Sequence, residues 1–143
     1  MRDLYSGDGR GIRISWVLRA LWELLTFETV SALWGYRAIK RFACCSIPTL
    51  SGEKVDPDLI KRAVELACSI YPKKTLCLQR SVALSRLLRS SGWSAEVVTG
   101  VQQLPFRSHA WVELKGIPFG EAHRIAELFR PIDRWGTPFL EHQ

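Results

Sequence analysis

The chain has 143 residues, with 20 Lys and Arg against 14 Asp and Glu, a net charge of +6, 47% apolar residues and 24% charged ones. That length suits one domain with a real core, and the composition excludes a disordered or fibrous chain. The basic residues form no run longer than a pair such as Lys40-Arg41 or Lys73-Lys74. No zinc-finger spacing, Arg/Gly-rich tail or aromatic RNA-binding signature accompanies them, so no nucleic-acid partner is expected and the charge suits an acidic partner or peptide.

Residues 1–11 carry three glycines and mixed charge and read as a loose arm. Over 12–26 the apolar residues Ile14, Val17, Leu18, Leu21, Leu24 and Leu25 recur at helical spacing. A second helix is expected over 28–44, with Val30, Leu33, Trp34, Ala38 and Phe42 facing inward. Trp16, Trp22, Trp34 and Tyr36 make this region aromatic, which suits a core stripe or a surface resting on a partner. Arg19, Glu23 and Glu28 interrupt the apolar stretch, so it is a poor transmembrane span, and no secretory signal is evident.

Residues 47–55, with Pro48 and Gly52, read as a loop. Asp56-Pro57 is a helix start, aspartate as cap and proline in the first turn, and Tyr71-Pro72 stops that helix near residue 70. Thr75 is the expected cap of the next helix, which begins at Cys77 and ends at Gly92. The period then changes. Strands are expected over 94–101, 109–114 and 117–119, with a turn over 102–108 and a hairpin turn at Lys115-Gly116. Residues 122–129 suit a short helix or an irregular crossing, and 130–133 a last edge strand, because Pro131 cannot donate to a central ladder. Helices first and strands later give an α+β fold. We divide it into an N-terminal helical segment, 1–50, and a domain over 51–143.

Cys44, Cys45 and Cys68 read as small apolar fillers, and adjacent Cys44 and Cys45 match neither a zinc site nor a simple disulfide framework. Free thiols in a reducing cytoplasm, with no metal and no organic cofactor, are the expectation. Cys77 differs by position. It opens a helix and follows Lys73 and Lys74, and both features favour a thiolate. The free amides of the helix start would also suit the oxyanion of acyl transfer. In H-A-W-V-E the residues His109, Trp111 and Glu113 share one strand face, an odd set for a plain core and a natural one for a cleft. His109 is the candidate general base. The group orienting it would be Glu113, Glu121, Glu127 or Asp133. Glu121 is preferred, since the hairpin would return it to the level of His109, and Asp133 is second. His123 and His142 read as surface groups.

The segment C-L-Q-R-S-V-A-L-S-R-L-L-R-S-S-G-W-S-A-E-V-V-T-G-V, followed by F-R-S-H-A-W-V-E-L-K-G-I-P-F, resembles the leader-peptidase family of lasso-peptide biosynthesis, within the transglutaminase-like group of papain-like folds. The resemblance covers residues 55–121. It implies a cysteine protease that removes the leader from a ribosomally made precursor peptide, with Cys77 as nucleophile and His109 as general base. The family's third residue is usually aspartate; here Glu121 stands at that place. The upstream stretch is too short for a fused winged-helix module, so the resemblance implies the stand-alone form. That form acts with a separate leader-binding protein and passes the precursor to an ATP-dependent macrolactam synthetase. The alternatives are a transglutaminase-like acyltransferase and a non-catalytic scaffold.

Overall fold

The computed structural model describes residues 14–45, 55–120 and 124–136. Four helices precede a sheet: α1 (Ile14–Trp34), α2 (Tyr36–Cys44), α3 (Pro57–Ile70) and α4 (Cys77–Ser90), then β1 (Ala95–Gln102), β2 (Arg107–Leu114), β3 (Ile117–Phe119), the short α5 (Ile125–Leu128) and β4 (Arg130–Gly136). The strands form one antiparallel sheet in the order β3-β2-β1-β4. The fold is α+β, with α1–α4 on one face of the sheet.

α1 runs eight residues past its expected end at residue 26, and the break falls at Gly35. The polar residues between the two expected helices do not interrupt it, because the hydroxyls of Thr26 and Thr29 donate to the carbonyls of Trp22 and Leu25 one turn back. Gly35 breaks it with φ +83, a backbone conformation that side chains disfavour. The longer helix turns different residues outward than its apolar spacing implies. Trp16, Val17, Ala20, Leu24 and Phe27 are buried, while Leu18, Trp22, Leu25, Leu33 and Trp34 are exposed.

α3 keeps its expected limits: Asp56 Oδ1 accepts from the Asp58 amide, and Pro57 occupies the first turn. α4 is the central helix. Its apolar residues Ala83, Leu84, Leu87 and Leu88 share one core with Trp16, Ala20 and Leu24 of α1, Ile60 and Val64 of α3, and Val112 of β2. Val82 joins a second cluster with Phe27, Ile39, Val97, Ala110 and Trp135. Two arginines tie α4 to the upstream helices. Arg86 Nε donates to Glu23 at 2.6 Å and its Nη1 to the Phe42 carbonyl, and its guanidinium lies 3.8 Å from the Phe42 ring centroid. Buried Arg89 donates to the carbonyls of Ala43 and Cys45, satisfying the C-terminal end of α2.

The strands begin or end within two residues of their expected limits, except that β4 continues to Gly136. β4 is an edge strand, as Pro131 requires, and Lys115 and Gly116 form the β2–β3 turn with φ 53 and 82. On the sheet face away from α1–α4, Val98, Trp111, Ile125 and Phe129 form a third, smaller cluster.

Candidate active site

Cys77 is the first residue of α4 and is exposed. The expected Thr75 cap is not found. Leu76 is the N-cap, no side chain caps the helix, and the first intrahelical bond runs from the Arg80 amide to the Leu76 carbonyl. The first-turn amides beside the thiol are therefore left without a side-chain acceptor, which is the environment that stabilises an anion.

α4 is pinned to the sheet by two buried hydroxyls. Ser81 Oγ donates to the Ala110 carbonyl at 3.1 Å, and Ser85 Oγ lies 3.4 Å from the Ala95 carbonyl. Ser81 is one helical turn beyond Cys77, and Ala110 follows His109. Cys77 and His109 therefore belong to the same end of the helix–sheet layer.

His109, Trp111 and Glu113 do share one strand face, but most of that face is packed. Trp111 is fully buried, and its indole Nε1 donates to Glu113 Oε2 at 3.1 Å. Glu113, 3% exposed, also accepts from Arg134 Nη1 at 2.6 Å, so its charge is neutralised inside the fold. The expected cleft is here a small core closed by Phe129 and Ile125. The half-buried His109 ring lies 6.1 Å from the Trp111 ring, nearly parallel to it, and 5.4 Å from that of Phe129. Ala110, between His109 and Trp111, packs with Val82 of α4 on the other face. The backbones of α4 and β2 meet near the two residues, while the His109 ring sits on the face turned away from α4. β3 pairs only with residues 112–114, so among the described residues no strand lies beside His109 on that edge of β2.

The candidate orienting groups are distributed as follows. Glu113 is engaged by Trp111 and Arg134. Glu127 is exposed and pairs with Arg124 at 3.2 Å. Asp133 accepts from Lys40 Nζ at 2.9 Å, from Trp135 Nε1 at 2.8 Å and from the Arg134 amide at 2.9 Å. Lys40 first, then Trp135, hold the Asp133 carboxyl below the usual carboxylate range, and the same pairing raises Lys40. Glu121, His123 and His142 lie outside the described residues.

A groove of about 400 Å³ lies at the start of α4, which the linear pattern did not disclose. Leu76 and Gln79, on either side of Cys77, line it together with Phe27, Ser31 and Ala32 of α1 and with Lys73 and Lys74. The Gln79 amide is anchored on the Leu24 carbonyl at 3.0 Å. Glu28, in the same wall, accepts from Lys73 and from the Tyr71 hydroxyl at 2.6 Å. Both bonds, Lys73's first, hold Glu28 below its ordinary range. Burial, then the bond to Glu28, pushes Tyr71 up to about 12. These partners lie more than forty residues apart in sequence, so spacing alone could not pair them.

The fold and the exposed thiol at a helix start define a class of protein: the chain belongs to the transglutaminase-like superfamily, whose sequence model matches residues 21–134. One similar protein is the microcin J25-processing protein McjB of Escherichia coli, 45% identical over 54 residues. That match takes in 38% of this chain and 26% of the relative, so the aligned stretch spans about a quarter of McjB. No solved structure matches the chain.

Proposed function

We propose that the chain is a cysteine peptidase that removes the leader from a ribosomally synthesised lasso-peptide precursor, and that Cys77, His109 and Glu121 carry the reaction. The observation that carries this reading is the exposed Cys77 at the uncapped start of α4, a helix that Ser81 fastens to the strand of His109. The membership of the transglutaminase-like superfamily and the similarity to a microcin-processing protein support it.

In this mechanism His109 takes the Cys77 proton, and the thiolate attacks the carbonyl at the leader–core junction. The first-turn amides of α4 hold the oxyanion. The C–N bond breaks as His109 protonates the departing core amine, leaving a thioester on Cys77. Water, giving a proton to His109, then releases the leader as its carboxylate and returns the thiol. For this step the imidazole must leave its place against Trp111 and Phe129. Glu121 orients the imidazole, with Asp133 the second choice for that role.

In this proposal a separate winged-helix protein recognises the leader and an ATP-dependent macrolactam synthetase closes the ring, both in the cytoplasm. The exposed row Leu18, Trp22, Leu25 and Leu33 on α1 is the docking surface for the leader-binding partner. In the division at residue 50, the outward row of the N-terminal helices serves docking, and the domain over 51–143 carries Cys77 and His109. No described helix is long and apolar enough to cross a membrane.

Mass spectrometry of precursor incubated with the chain and the leader-binding protein tests the reaction class. Hydrolysis gives two fragments whose masses sum to precursor plus water. A cross-link or a mass change on an intact precursor would instead identify an acyltransferase, and an unchanged precursor a scaffold.

A further inference from the structure

We infer that the groove at the start of α4 is a substrate subsite for a peptide segment carrying an apolar side chain next to an acidic one. This rests on Cys77 being the reacting thiol. Its volume of about 400 Å³ lies at the lower end of the range for small-ligand sites. Leu76, in the groove wall, immediately precedes Cys77 in the chain. Phe27, Ala32 and Leu76 give the apolar lining.

The charges select the neighbouring residue. Glu28 is the acidic group in the wall, and Lys73 and Tyr71 already engage both of its oxygens. Lys74 is exposed and forms no ion pair among the described residues. Among the described residues, Lys74 is thus an ammonium with no carboxylate partner beside an apolar floor. A substrate carboxylate complements it and a substrate lysine does not.

The test uses full-length protein carrying Cys77→Ala, to prevent turnover, and two fluorescein-labelled octapeptides. Each has one Phe followed by Asp in one peptide and by Lys in the other. Fluorescence anisotropy is expected to show tighter binding of the Asp peptide by up to about fivefold, the scale of a partly exposed ion pair, fading at high salt. Lys74→Glu should abolish or reverse that preference. Ala32→Trp or Ser31→Trp, placed at exposed positions in the groove wall, should weaken both peptides about tenfold with no change in melting temperature. Absence of binding, an unaltered preference in Lys74→Glu, or unaltered affinity in both folded tryptophan variants overturns the subsite. Precursor cleavage by the unmutated chain is read separately. Cleavage with groove-independent binding removes the subsite alone, whereas groove-dependent binding without cleavage removes the peptidase reading and leaves a peptide site.

Discussion

The hydroxyl of Ser81 donates to the carbonyl of Ala110 at 3.1 Å, and this buried bond fixes the start of α4 against β2, one turn from Cys77 and one residue from His109. Ser81→Ala should lower stability by about 1 kcal/mol, the net value of such a bond, read from the midpoint of urea unfolding. Ser81→Val should cost more, since at a buried position it replaces the hydroxyl with one methyl group and adds a second.

Gly100 pairs with His109 across β1 and β2, and the Trp111 ring lies over it. A Cβ there would stand 2.9 Å from both the Arg130 carbonyl and the Trp111 ring. Gly100→Ala should therefore destabilise the fold by about 1–3 kcal/mol and shift the tryptophan near-ultraviolet dichroism, because the indole that supports His109 must move. An unchanged spectrum and melting temperature would show that the ring is not held there.

Asp133 gives a pH signature. Its folded-state pKa is depressed by Lys40 and Trp135, so its stabilising contribution is present above the usual aspartate value near 4 and is lost as pH falls through the folded value. Asp133→Asn should be less stable than the parent at neutral pH, and the difference should shrink progressively below about pH 4 in thermal melts. If Glu121 is the orienting group, Asp133→Asn retains cleavage, and Glu121→Gln reduces it by less than replacement of Cys77 does.

The outward row of α1 separates docking from folding. Trp22→Glu together with Leu18→Glu should leave the melting temperature unchanged, since both residues are exposed, yet weaken co-purification with the leader-binding protein. Deleting residues 1–45 should unfold the chain, because Trp16, Ala20 and Leu24 share a core with α3 and α4. A folded remainder that still binds the partner would refute the docking assignment.

Much of the fold was legible wherever one local rule decides. Asp56-Pro57 sets the start of α3, Lys115-Gly116 sets the hairpin, and Pro131 confines β4 to an edge. The helix break was misplaced because threonines that look like boundary residues satisfy their hydroxyls within the helix, while the break depends on the backbone of Gly35. Alternation put His109, Trp111 and Glu113 on one face correctly. It could not show that α5, β4 and Arg134 close that face into a core, since those contacts join segments distant in sequence. The groove at the start of α4 was hidden for the same reason: α1 and the residues before α4 meet only in the folded chain.

Comparing cysteine variants tests the central claim most directly. The cognate precursor, supplied with its leader-binding protein, is incubated with the parent chain, with Cys77→Ala, and with a chain in which Cys44, Cys45 and Cys68 are all serine. The account predicts cleavage at the parent rate by the triple-serine chain and none by Cys77→Ala, with both variants folded. Cleavage by Cys77→Ala at the parent rate would contradict it.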